Sequence, residues 1–204
     1  MQKLIIILGT AHQKSIPGKG SPDGKFKEYR YSREVVSAIK SVLENMGYQV
    51  FIDIEDDDLK LSQTKELSLR CRIVNELVKQ YKNCIYISIH VNAAASDGKW
   101  HDATGWEIYT SVGTTKADKL ATCLYNAAKA NMPDKKMRTD FSDGDPDKEA
   151  NLYVLKNTNC PAVLTENFFM DNKKDVDYLL SDEGFHAIVR LHVEGILKYI
   201  KDNS

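Results

Sequence analysis

The chain has 204 residues, enough for one domain with a sizeable core, and its 42% hydrophobic content is ordinary for a globular protein. A formal net charge of −1 supplies no global basic field that would favour nucleic acid or an anionic membrane surface. No apolar run is long enough to cross a bilayer. The N-terminal MQKLIIILGTAHQ lacks the length and cleavage site of a signal peptide, so no signal peptide is visible in this chain.

Lys3 to Leu8 read as a first buried strand, with His12 directly after it. A long loop follows, SIPGKGSPDGKFKEY, with turn signals at Pro17-Gly18 and Pro22-Asp23-Gly24; loops of this size tend to be functional. The first helix is expected from about Glu28 to Met46, with Val35, Val36, Ile39, Val42, Leu43 and Met46 at helical spacing and Gly47 as its stop. Glu28 then lies in the first turn, where the helix dipole favours a carboxylate. Tyr48 to Ile54 read as a second strand and Gln63 to Tyr81 as a second helix carrying Leu67, Val74, Leu77 and Val78.

The stretch Cys84 to Ala94, CIYISIHVNAA, is a continuous apolar run that suits a strand buried on both faces, and it breaks at His90. Further strands are expected at Gly105 to Thr110, nearer an edge, at Leu152 to Leu155 and at Ala162 to Thr165, with Glu166 directly after the last. Helices are expected at Thr115 to Ala130, Asn172 to Leu180 and about Asp182 to Ile200. Cys71, Cys84, Cys123 and Cys160 form no CxxC pair and read as free thiols.

Alternating strands and helices imply βαβ units. The expected fold is α/β, a single three-layer domain over residues 1–204 with a mostly parallel twisted sheet and helices on both faces, of the phosphorylase/hydrolase-like kind. Parallel crossovers bring His12, His90 and Glu166 to the C-terminal edge of the sheet, where such folds place their ligands, and Glu28 reaches the same rim. Two imidazoles and a carboxylate form a known zinc set with room for water, and a further carboxylate can carry that water's proton. Residue types alone leave open which of Glu28 and Glu166 is ligand and which is base.

These pieces resemble the zinc-dependent N-acetylmuramoyl-L-alanine amidase family of the amidase-3 type. The resemblance is carried, in order, by LGTAHQ, PGKGSPDGKFKEY, RCRIVN, SIHVNAA and PAVLTENFFMDN. It implies that His12, Glu28 and His90 hold Zn2+ and that Glu166 is the catalytic carboxylate. It also implies cleavage of the amide between the lactyl group of N-acetylmuramic acid and L-alanine, with peptidoglycan or muropeptide as substrate and the bacterial cell wall as the place of action. Two departures stand out: no glycine follows His12, and Ser32 stands where the family often has asparagine. A wall-binding module of the same fold without catalysis, and a zinc peptidase cutting within the stem peptide, are the alternatives.

Other signals are weaker. Glu34 falls on nearly the opposite helix face from Glu28 and reads as surface charge. Asp143, Asp145 and Asp147 begin like a calcium loop, but Lys148 and Val154 stand where glycine and glutamate are required. His101, Asp102, His186 and His192 read as loop or helix residues, and Ser88 lacks a nucleophile-elbow context.

Overall fold

The computed structural model describes residues 3–203. Its strands are β1 (Ile5–Thr10), β2 (Gln49–Ile52), β3 (Cys84–Asn92), β4 (Trp106–Thr110), β5 (Lys148–Glu149) and β6 (Ala162–Phe169). They form one sheet in the order β2-β1-β3-β6-β4-β5. The first four in that order run parallel, β4 runs antiparallel to β6, and β5 runs parallel to β4. The helices are α1 (Glu28–Asn45), α2 (Gln63–Tyr81), α3 (Ala117–Asn131), α4 (Tyr153–Lys156), α5 (Lys173–Leu179) and α6 (Asp182–Asp202).

One face of the sheet packs Ile6, Leu8, Ile85, Ile87 and Val163 against α1, α3 and α6. The other packs Ile5, Ile7, Tyr86 and Leu164 against α2 and α4. The alternating faces of buried strands explain why these segments read as unbroken apolar runs. On α1 the buried stripe is Val35, Val36, Ile39 and Leu43, while Val42 and Met46 are exposed. All four cysteines are free.

Two expectations are corrected. Leu152 to Leu155 is not a strand: Tyr153–Lys156 is a short helix packed on α2, because a four-residue apolar run carries no usable period. The strand Trp106–Thr110 lies nearer an edge, as expected, with only Lys148–Glu149 outside it. Glu166 and His90 do not follow their strands but lie inside them, since pairing continues to Phe169 and Asn92.

His192, fully buried on α6, takes the place of an apolar core residue. Its Nδ1 donates to Ile188 O at 2.7 Å and its Nε2 lies 3.0 Å from Thr165 Oγ1, partners that a neutral ring satisfies. Burial lowers its pKa to about 4. Folding therefore releases a proton whenever the unfolded ring is charged. The resulting stability is whole above the ordinary histidine value and is lost as pH falls toward 4. Urea unfolding at pH 7 and pH 4 is expected to differ by on the order of 2–3 kcal/mol from this ring. In His192→Gln that part of the difference should vanish; an unaltered pH slope would place the titration elsewhere.

Candidate active site

His12 lies two residues beyond β1 and has φ of 31°, a backbone region that side chains with a Cβ seldom adopt. Its carbonyl and that of Ala11 are held by Arg33 Nη1 at 2.9 and 3.0 Å, and Ala11 N donates to Ser32 Oγ at 2.8 Å. Ser32 in turn donates to Ile89 O at 2.7 Å, so one hydroxyl ties the ends of β1 and β3 to α1. These bonds hold the turn without the glycine that the family pattern places after the histidine.

Beneath this turn lies a buried ionic group. Arg70 donates from Nη1 to Asp53 Oδ2 at 2.7 Å and from Nη2 to Glu66 Oε1 at 2.6 Å, and it also reaches Thr10 Oγ1 and His12 O. Tyr86 OH completes Asp53 at 2.8 Å. None of these side chains was singled out from sequence. The available signal was Glu66 and Arg70 four residues apart, in line with buried Val74 on the inward face of α2.

Glu28, 1% exposed, opens α1, whose N-terminus has no side-chain cap. Its Oε1 lies 3.1 Å from His90 Nδ1 and accepts from Val91 N, and its Oε2 lies 3.9 Å from His12 Nε2. Burial pushes this carboxyl up, but the bond with His90 and the electrostatic pull of the His12 and His90 rings outweigh it and hold it below the ordinary value. Burial lowers the His12 pKa to about 3, so its imidazole is neutral and keeps a free lone pair at neutral pH. His90 Nε2 lies 3.1 Å from Ser88 Oγ, so Ser88 orients the ring.

His12, Glu28 and His90 each offer a ligand atom within 4.8 Å of the others and could hold a metal ion. His12 Nδ1 and Glu28 Oε2 are buried without a hydrogen-bond partner. Buried polar atoms left without a partner are expensive in a native fold, and a divalent cation would satisfy lone pairs of this type.

Glu166 is paired in register with His90 on β3 and with Glu107 on β4, so the three side chains share one face of the sheet. Its Oε2 is buried without a partner. Burial, with the charges of Glu28 and Glu107, pushes its carboxyl well above the ordinary value. The four residues expected at the site therefore converge. Glu34 and His186 are exposed, and His101 pairs with Asp97 on the surface. The aspartates at 145 and 147 face each other, and burial with Asp145 pushes Asp147 up to about 7. A cavity of about 720 Å3 lies at the opposite end of the sheet, between Leu4, Ile85, Pro161 and Tyr199, away from this chemistry.

The family model described as N-acetylmuramoyl-L-alanine amidase (Amidase_3) matches residues 6–198. The chain belongs to that family. It is 29% identical over 184 residues to the endolysin of Bacillus phage SPP1, covering 89% of this chain and 61% of that protein. It is equally 29% identical over 192 residues to the N-acetylmuramoyl-L-alanine amidase CwlM of Bacillus licheniformis, covering 89% of this chain and 66% of the relative. The chain thus spans 61–66% of the length of these curated relatives. Among solved structures, the N-acetylmuramoyl-L-alanine amidase of Clostridium difficile 630 superposes with a TM-score of 0.82 at 21% identity over the whole of both chains. The CwlD amidase of Clostridioides difficile, solved with the GerS lipoprotein, superposes at 0.78, with 21% identity over 97% of this chain and 98% of that one. At these identities the superpositions carry the fold.

Proposed function

We propose that this amidase-family chain, with residues 1–204 as its catalytic domain, hydrolyses the amide between N-acetylmuramic acid and L-alanine in peptidoglycan, and that it does so with zinc. The observation that carries the reading is the convergence of His12, Glu28 and His90, within 4.8 Å of one another, beside Glu166 one strand away. Its place of action under this reading is the bacterial cell wall, as the endolysin and amidase names of its relatives suggest.

In this reading His12, Glu28 and His90 would hold the metal. A zinc ion there supplies Lewis acidity toward the amide carbonyl and makes hydroxide available near neutral pH. Everything else falls to the chain's own groups. Ser88 at Nε2 fixes the His90 ring and leaves Nδ1, on the Glu28 side, for the metal, and Arg33 and Arg70 fix the His12 backbone. Glu166 takes a proton from the attacking water and returns it to the alanine nitrogen as the C–N bond breaks. A carboxyl raised by burial is suited to both transfers.

Mass spectrometry of digested muropeptides tests the activity. Free stem peptide with an L-alanine N-terminus is expected, and cleavage at another bond would remove the amidase reading. Calorimetric titration of the chelated protein tests the metal separately: one zinc per chain is expected, with His90→Ala weakening uptake by at least about tenfold.

A further inference from the structure

On the same face, beyond Glu166, lies a second charged group that the reaction does not use. Glu107, 1% exposed, accepts from four donors: Asn92 Nδ2 at 2.6 Å and Tyr109 OH at 2.9 Å on Oε1, Arg138 Nε at 2.7 Å and Lys148 Nζ on Oε2. Arg138 and Lys148 come from either side of an excursion in the edge strand: Met137 bridges to Trp106, and Lys148 pairs with Tyr109. Two cations thus share one carboxylate and leave a surplus positive charge. Their side chains are 31% and 24% exposed, so this surplus is within reach of solvent.

Glu107 engages only Nε of Arg138. Both Nη atoms are without a hydrogen-bond partner among the described residues. The guanidinium lies 5.1 Å from the centroid of the Phe169 ring, which supports it from below. Phe169 reaches this face because the β3–β6 register slips between His90 and Asn92, with Phe168 at φ of 68° taking up the extra residue. A planar fork, fixed at one nitrogen and stacked on a ring, with its outer edge unpaired, is a receptor for a carboxylate.

We infer that Arg138 and Lys148, fixed by Glu107, form a subsite for a free carboxylate on the peptide side of the substrate, two residues from the scissile amide. The inference rests on the amidase reading. His90, Glu166, Glu107 and Arg138 stand in a row across adjacent strands. Strands lie about 4.8 Å apart, which puts Arg138 about 10 Å from Glu166. An extended peptide advances roughly 3.5 Å per residue, so a carboxylate arm on the second residue spans that gap. The muramic carboxyl is consumed in the amide itself, so the recognised group belongs to the peptide.

The test is a pair of N-acetylmuramyl peptides that differ only at the second stem residue, one with a free α-carboxylate and one with the carboxamide. The wild-type protein is expected to prefer the carboxylate by ~10–100-fold in kcat/KM, mostly through KM, as charge-assisted hydrogen bonds give. Arg138→Gln should bring the ratio close to one by slowing the carboxylate substrate, and Arg138→Lys should keep part of the preference. Equal rates for the pair with the wild type, or an undiminished ratio in Arg138→Gln, would overturn the subsite. If neither substrate is cleaved, the amidase reading is what fails, and calorimetric binding of the free peptides decides the subsite alone. Tighter binding of the carboxylate peptide by at least tenfold, lost in Arg138→Gln, supports it; equal binding of the two overturns it.

Discussion

Glu166→Gln is expected to lower kcat for amide hydrolysis by ~10²–10⁴-fold, the range for loss of a positioned proton carrier, with zinc uptake retained. The same change is expected to stabilise the fold. The Glu166 carboxyl is raised by burial and by the charges of Glu28 and Glu107, so ionising it costs the native state. That cost is absent below the ordinary glutamate value and grows as pH rises through the folded value. Melting curves on chelated protein should therefore show the variant above the wild type at pH 7.5, with the gap closing near pH 4. Retention of activity within about tenfold would move the proton transfer to another group. A gain in stability with a loss of turnover is the pattern of a site whose chemistry opposes its own folding.

Arg70→Met is expected to be the most damaging substitution to the fold. Arg70 is 2% exposed and is the cation that balances Asp53 and Glu66, themselves buried. Methionine matches its stem but leaves two carboxylates without their partner. Breaking a buried pair from one side costs about 3–5 kcal/mol, a fall in Tm on the order of 10 °C for a chain of this size. Adding Asp53→Asn and Glu66→Gln should recover much of that loss, because the penalty lies in the stranded charges. If the triple variant melts no higher than Arg70→Met, the damage comes from lost packing or from release of the His12 carbonyl. Zinc titration of the triple variant separates these two, since only the second weakens uptake.

The legible part of this molecule was what lies along the chain. His12 and Glu28 flank one loop, His90 interrupts an apolar run, and parallel crossovers bring strand ends to one edge; each follows from local pattern and handedness. The positions of His90 and Glu166 inside their strands were not legible. The residues that follow, Val91-Asn92 and Asn167 to Phe169, pair through a bulge that no period announces. The Arg70 group was hidden because charged residues at helical spacing read as surface. The grouping of Glu107 with Arg138 and Lys148 joins residues 31 and 41 positions apart. It depends on β4 running against β6, which residue type does not predict.

That reversal of β4 has a consequence for variation. β3 ends and β4 begins at the same edge of the sheet, so residues 93–105 join them without crossing a face. They are pinned to the rim by Asp171, which accepts from Ala94 N and Ala95 N, and by Asn172, which donates to Ala103 O. Lengthening such a connection costs only about 0.6 kcal/mol for each doubling. Chain added there would rise directly over Glu107 and Glu166 while the core beneath kept its packing. The reach of the cleft over a polymer can therefore be altered separately from its chemistry, because one is set by the length of a loop and the other by the register of a sheet.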